Sequence, residues 1–188
     1  MTFPETLYLY KTRQMEKDDL IEWIDSWKNL AFVIHKIGNH PELFSVLMDV
    51  AIHNHEPKSW RAAYLADKIH DDFPELILPF IESMIAQLER ENNSSKKRHF
   101  LKLLSMNEIP VEHYGFLVDL CIGMLTSAKE PPAVRVHAMQ ILYNISETEP
   151  ELKPEILAII EHEMEYHATA GILSRGSKIS NKLRRQIE

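Results

Sequence analysis

Residues Ser26–Leu43 read SWKNLAFVIHKIGNHPEL, and residues Ser59–Leu76 read SWRAAYLADKIHDDFPEL. Both open on Ser-Trp followed by a base and both close on Pro-Glu-Leu, so that Trp27-Lys28 returns as Trp60-Arg61 at an offset of 33 residues. A period in that range is the signature of stacked helical hairpins, because one amphipathic hairpin can bury its apolar stripe only against its neighbours. The register continues along the chain. Arg98, in SSKKRHFLKLL, follows Arg61 by 37 residues; Arg135, in PPAVRVHAMQIL, follows by another 37, and Arg175, in LSRGSKISNKL, by 40 more. A proline column runs beside it through Pro41, Pro74, Pro110 and Pro150.

The composition agrees with a helical chain. Of 188 residues, 45% are apolar and 26% charged, the balance of an ordinary globular protein, and five glycines are few for a sheet rich in tight turns. The length suits one domain over 1–188, with a segment 1–17 leading into stacked hairpins over 18–188. Helices are expected near 18–37 (with a break), 42–54, 57–70, 74–91, 94–105, 111–127, 132–146, 151–166 and 170–187. In PELFSVLMDVAI the residues Leu43, Val46, Leu47, Val50 and Ala51 share one helix face, as do Ile77, Ile81, Met84, Ile85 and Leu88 in the next unit. Prolines stand where a first turn tolerates a missing N–H, and Ser59, Ser94 and Ser95 supply start signals. The fold class predicted is all-α, an α-α superhelix or right-handed solenoid of four to five helical hairpins.

Three short patterns resemble HEAT-like and armadillo-type repeats: ILPFIESMI as a first helix, Glu56-Pro57 and Glu130-Pro131 as the turn, and Val134-Arg135-Val136-His137-Ala138, with Trp60-Arg61-Ala62-Ala63, as the start of the second helix. The resemblance covers roughly 26–188 and departs at Asn93, which replaces the turn acid before Arg98, and at Ala170 before Arg175. It implies that the second helix of each unit lines a concave surface. Arg61, Arg98, Arg135 and Arg175 would then form a ladder there, extended by Tyr64, Lys68, Lys102, Met139, Lys178 and Lys182. Two roles are open to that ladder. Guanidinium forks suit carboxylates and phosphates of a partner, and they equally suit carboxylates or helix C-termini of the adjacent repeat, with Asp67, Asp71, Asp72 and Glu108 as acids within reach in sequence. Trp27 and Trp60 read as packing between repeats.

Charge is uneven. The net charge is −7, which argues against wholesale wrapping by nucleic acid. Residues 147–165 hold Glu147, Glu149, Glu151, Glu155, Glu161, Glu163 and Glu165 against Lys153, whereas 175–188 hold Arg175, Lys178, Lys182, Arg184 and Arg185 against Glu188. An acidic protein or peptide is therefore the partner expected at the concave face. Nucleic acid is the alternative, since HEAT-like alkylpurine DNA glycosylases use a basic concave groove.

Motifs for chemistry are not apparent. Cys121, the single cysteine, sits in FLVDLCIGML as a core residue. Arg175-Gly176-Ser177-Lys178 lacks the upstream glycine of a phosphate loop, and no Gly-x-Ser-x-Gly elbow occurs. His162 and His167 in HEMEYH are five apart, about 140° around a helix, and are not expected to close on one ion; His53 and His55 read as surface histidines in a turn. No metal, cofactor or catalytic residue is expected, and the protein reads as more a binding module than an enzyme. Short bacterial chains of this kind sometimes carry the label adenylosuccinate lyase. The sequence does not support it, and a lyase of that type stands as the weaker third alternative: that superfamily has a Ser-Ser-x-Met-Pro-x-Lys-x-Asn loop, and here Ser94-Ser95 is followed by Lys96-Lys97-Arg98. No apolar run reaches the ~18 residues of a membrane span, and the Met-Thr-Phe-Pro-Glu start lacks a signal-peptide pattern, so a cytoplasmic location with no membrane contact is expected.

Overall fold

The computed structural model describes residues 18–187; the predicted N-terminal segment 1–17 lies outside them. Every regular element among the described residues is helical: α1 (18–26), α2 (Leu30–Gly38), α3 (Pro41–His53), α4 (Trp60–His70), α5 (Ile81–Leu88), α6 (Ser94–Ser105), α7 (Tyr114–Thr126), α8 (Pro132–Thr148), α9 (Lys153–Tyr166) and α10 (Ala170–Ile187). No helix among them is long and apolar enough to cross a membrane. Two compact units divide between Met84 and Ile85, and each is described by itself.

In the first unit α3 pairs with α4, and α4 also packs on α2. Pro41 opens α3 at its first turn and Glu42 faces the N-terminal dipole. The stripe expected on α3 is wider than its spacing implies, because Phe44, Met48 and Ile52 are buried as well as Val46, Leu47, Val50 and Ala51; α2, α4 and the Pro74–Phe80 turn all pack on this helix. The helix expected from residue 74 begins instead as a 3₁₀ segment, Pro74–Phe80. Pro79 inside it has no N–H to give to a carbonyl four residues back, so the chain takes the tighter winding until Ile81. Ile77, Ile81, Met84, Ile85 and Leu88 are nonetheless all buried, as their spacing predicts.

The break expected in 18–37 falls at residues 27–29, where Trp27 (φ 53°) and Asn29 (φ 51°) both adopt the left-handed conformation. That conformation costs an L-residue such as tryptophan about 1–2 kcal/mol. Packing compensates: the Trp27 ring lies 5.8 Å from Trp60 and 5.3 Å from Tyr64.

In the second unit α7 pairs with α8 and α9 with α10, while α6, α8 and α10 stack side by side. Thus the second helices of successive hairpins form one layer. Asn93, the departure from the turn acid, accepts hydrogen bonds from the Ser95 and Lys96 N–H groups at 3.0 and 3.2 Å and so caps α6 as an acid would. Lys96 is enclosed, 1% exposed, and meets Glu91 at 2.9 Å. Burial works against a charged Glu91, yet the hydrogen bonds from Lys96, from the Asn93 N–H and from Gln87 outweigh it and hold the carboxyl below its usual range. Cys121 is buried in α7, and desolvation pushes its thiol up to about 12, which removes it as a nucleophile at neutral pH.

Candidate functional site

The four arginines of the sequence column are spent differently. Arg61, on α4, donates from Nη1 to the carbonyls of Ile24 (3.2 Å) and Asp25 (3.1 Å), which belong to the last turn of α1. Its guanidinium carbon lies 4.9 Å from the Trp27 ring and 5.9 Å from the Trp60 ring. Arg135, on α8, donates from Nε to the Leu125 carbonyl at 2.7 Å, in the last turn of α7, and from Nη2 to the carboxylate of Glu163 on α9. Both residues therefore satisfy carbonyls that a helix C-terminus leaves without partners, and the positive charge suits the negative end of the dipole.

Two sequence-based assignments are corrected by burial. Arg135 is 5% exposed and Met139 is fully enclosed, so neither offers a surface to a partner. Their helical spacing puts both on the face of α8 that packs into the hairpin, and spacing alone cannot say which face of a central helix meets solvent.

Arg98 and Arg175 lie nearer the surface. Arg98, half-buried on α6, donates to the His99 ring at 2.8 Å. Arg175 begins a chain of hydrogen bonds that crosses three helices. Its Nη1 donates to Gln140 Oε1 at 2.5 Å, Gln140 Nε2 donates to Asn144 Oδ1 at 2.8 Å, and Asn144 Nδ2 donates to the Ser105 carbonyl at 2.8 Å. This polar seam ties α10 to α8 and α8 to the end of α6. On α10, Arg175, Lys178, Lys182 and Arg185 follow one another at spacings of three and four, which places them on one face. Lys178, Lys182 and Arg185 are exposed; the Lys182 ammonium lies 5.1 Å from the Tyr143 ring. Lys102, on α6, is half-exposed. Beside the stripe, Tyr143 Oη donates to Glu147 Oε2 at 3.0 Å, and Gln186 Nε2 donates to the same oxygen at 3.2 Å. Although burial opposes it, these bonds and Lys153 hold the Glu147 carboxyl below its usual range.

In the first unit Tyr64 and Lys68 are half-exposed on α4, with Lys68 3.4 Å from Asp71.

A further constellation escaped the helix-wheel reading. The 140° separation of His162 and His167 holds only while a helix continues, and α9 stops at Tyr166. His167 leaves the helix with φ −131° and ψ 36°, which returns its ring to the buried carboxylate of Glu163. His167 Nδ1 lies 3.0 Å from Glu163 Oε2 and His162 Nδ1 lies 3.3 Å from Oε1. The two imidazole rings are 5.9 Å apart. A signal was present in the sequence: Ala168-Thr169-Ala170 after HEMEYH interrupts the acidic helix just where the second histidine falls.

A family model described as HEAT repeat domain matches residues 18–183. No curated protein and no solved structure matches the chain. The match runs from α1 into α10, over the same hairpins whose second helices stack through α6, α8 and α10, and the chain belongs to the HEAT repeat domain family.

Proposed function

We propose that this chain is a non-enzymatic interaction module, acting in the cytoplasm, that binds an acidic segment of a protein through the basic face of its second-helix layer. The observation that carries the reading is the seam from Arg175 through Gln140 and Asn144 to Ser105, which holds the basic stripe of α10 beside α8 and α6. Lys178, Lys182 and Arg185 make no ion pair among the described residues and stand in water, so their charge is available to a partner. Arg98, Lys102 and Arg175 would add hydrogen-bond donors along the same layer. Buried Arg135 and Met139 support this face from beneath. In the first unit, Tyr64 and Lys68 offer a separate contact.

HEAT repeats are suited to such a role because stacking creates an extended surface whose residues recur at a fixed interval, matching carboxylates spaced along an elongated partner. Exposed pairs of this kind contribute little singly, about 0–1 kcal/mol each. Several in a row, with steering by the local field, give specificity and a fast encounter.

The test compares a fluorescent Glu-rich helical peptide with an oligonucleotide of equal length, each titrated against the wild type and against Lys178→Glu/Lys182→Glu/Arg185→Glu. The reading expects peptide binding that the folded variant loses. Binding of the oligonucleotide alone, with affinity falling steeply as salt rises, would transfer the stripe to phosphate recognition. Peptide binding undiminished in the variant would remove α10 from the interface.

A further inference from the structure

We propose that His162, Glu163 and His167 form a binding site for a borderline divalent transition ion, of which zinc is the type. Two imidazoles and one carboxylate are a zinc-type donor set, whereas magnesium and calcium take oxygen ligands. Three protein ligands leave a fourth position open to water or to a side chain from a partner. The donor atoms all lie within 4.8 Å of one another. Ligands about 2.0–2.2 Å from a tetrahedral zinc stand roughly 3.3 Å apart; His162 Nδ1 already stands 3.3 Å from Glu163 Oε1, while His167 Nδ1 lies 3.0 Å from the other oxygen, Oε2. His167 must swing toward the Oε1 side to meet His162, and both side chains lie at the surface, 58% and 43% exposed, where a ring can be repositioned.

The surroundings organise the site. Glu163 is 1% exposed and its carboxylate is held by Arg135, so one ligand is fixed in place before any ion arrives. Metal ligands are commonly oriented by an outer hydrogen bond of this kind. Arg135 takes Oε2 and leaves Oε1, on the His162 side, to the ion. The guanidinium charge opposes a second cation nearby; exposed Glu165, on the same helix, partly offsets it, whereas Glu161 is already paired with Arg184 at 2.7 Å. A bound ion would tie His167, the first residue beyond α9, back onto that helix, and so brace the turn that leads into α10 and its basic stripe.

The experiment titrates cobalt(II) into the metal-free chain, following the visible absorption of a low-symmetry four-coordinate site, with zinc added as competitor and the thermal midpoint read in parallel. One ion per chain, displaced by zinc and raising the midpoint, is expected. His162→Ala and His167→Ala, both at exposed positions, should each weaken binding on the order of tenfold or more, while His53→Ala/His55→Ala leaves it unchanged. Helicity measured on each variant separates loss of ligand from loss of fold. Absence of saturable binding overturns the proposal, as does binding that survives His162→Ala and His167→Ala or that vanishes with His53→Ala/His55→Ala.

Discussion

Replacing Arg135 by Met tests whether the arginine column holds repeats together or meets a partner. The side chain is 5% exposed and makes two buried contacts, one to the Leu125 carbonyl at 2.7 Å and one to the carboxylate of Glu163. Methionine fills similar space and donates nothing, so a carbonyl and a carboxylate are stranded in the interior. Breaking a buried ion pair costs about 3–5 kcal/mol, chiefly because the remaining charge is left desolvated; a value near 4 is expected, since the two histidines beside Glu163 still offer it partial compensation. At about 2–4 °C per kcal/mol for a chain of this size, the midpoint should fall by roughly 8–16 °C in far-ultraviolet circular dichroism, and urea titration should give the corresponding loss of free energy. Arg135→Met/Glu163→Met removes both charges and should recover on the order of 2 kcal/mol relative to the single variant. An Arg135→Met protein within about 0.5 kcal/mol of the wild type, the range of ordinary surface substitutions, would refute the structural role. If that variant were also unable to bind the Glu-rich peptide, Arg135 would belong to the interface.

The Lys96–Glu91 pair carries a pH dependence. The Glu91 carboxyl is held below its unfolded value of 4.5, so its contribution is complete above that value and is lost as the pH falls through the lower folded one. The stability gap between wild type and Glu91→Gln should be widest at neutral pH and should close on acidification; a gap unchanged between about pH 7 and 3 would deny the linkage. Gly38 provides a packing test, because a Cβ there would stand 2.4 and 2.5 Å from atoms of the Phe73 ring. Gly38→Ala should therefore destabilise by about 1–3 kcal/mol in chemical denaturation, and Gly38→Ala/Phe73→Leu should regain part of the loss.

Helix positions were legible before any coordinates because their signals are local. Pro41 and Pro132 mark first turns, apolar residues recur at three and four, and the interval between Trp27 and Trp60 announces stacked hairpins. The charge contrast between 147–165 and 175–188 was equally plain, as was the basic face of α10. What stayed hidden depends on which distant groups arrive. Arg135 and Arg175 occupy the same column, yet one is buried against Leu125 and Glu163 while the other reaches Gln140 at the edge. Column position sets a direction from the helix axis, and only the neighbouring helices decide whether that direction meets water, a carbonyl or a carboxylate.

The same division governs the rest of the chain. Sequence by itself determined the all-α class, the repeat interval and the family, since these follow from periodicities that one helix carries alone. Tertiary structure decided the left-handed break at Trp27, where contacts with Trp60 and Tyr64 offset a strained backbone, and the burial of Lys96 on Glu91. It also decided the return of His167 to Glu163, because a helix wheel describes residues only as far as the helix runs, and α9 ends one residue too soon for it to apply.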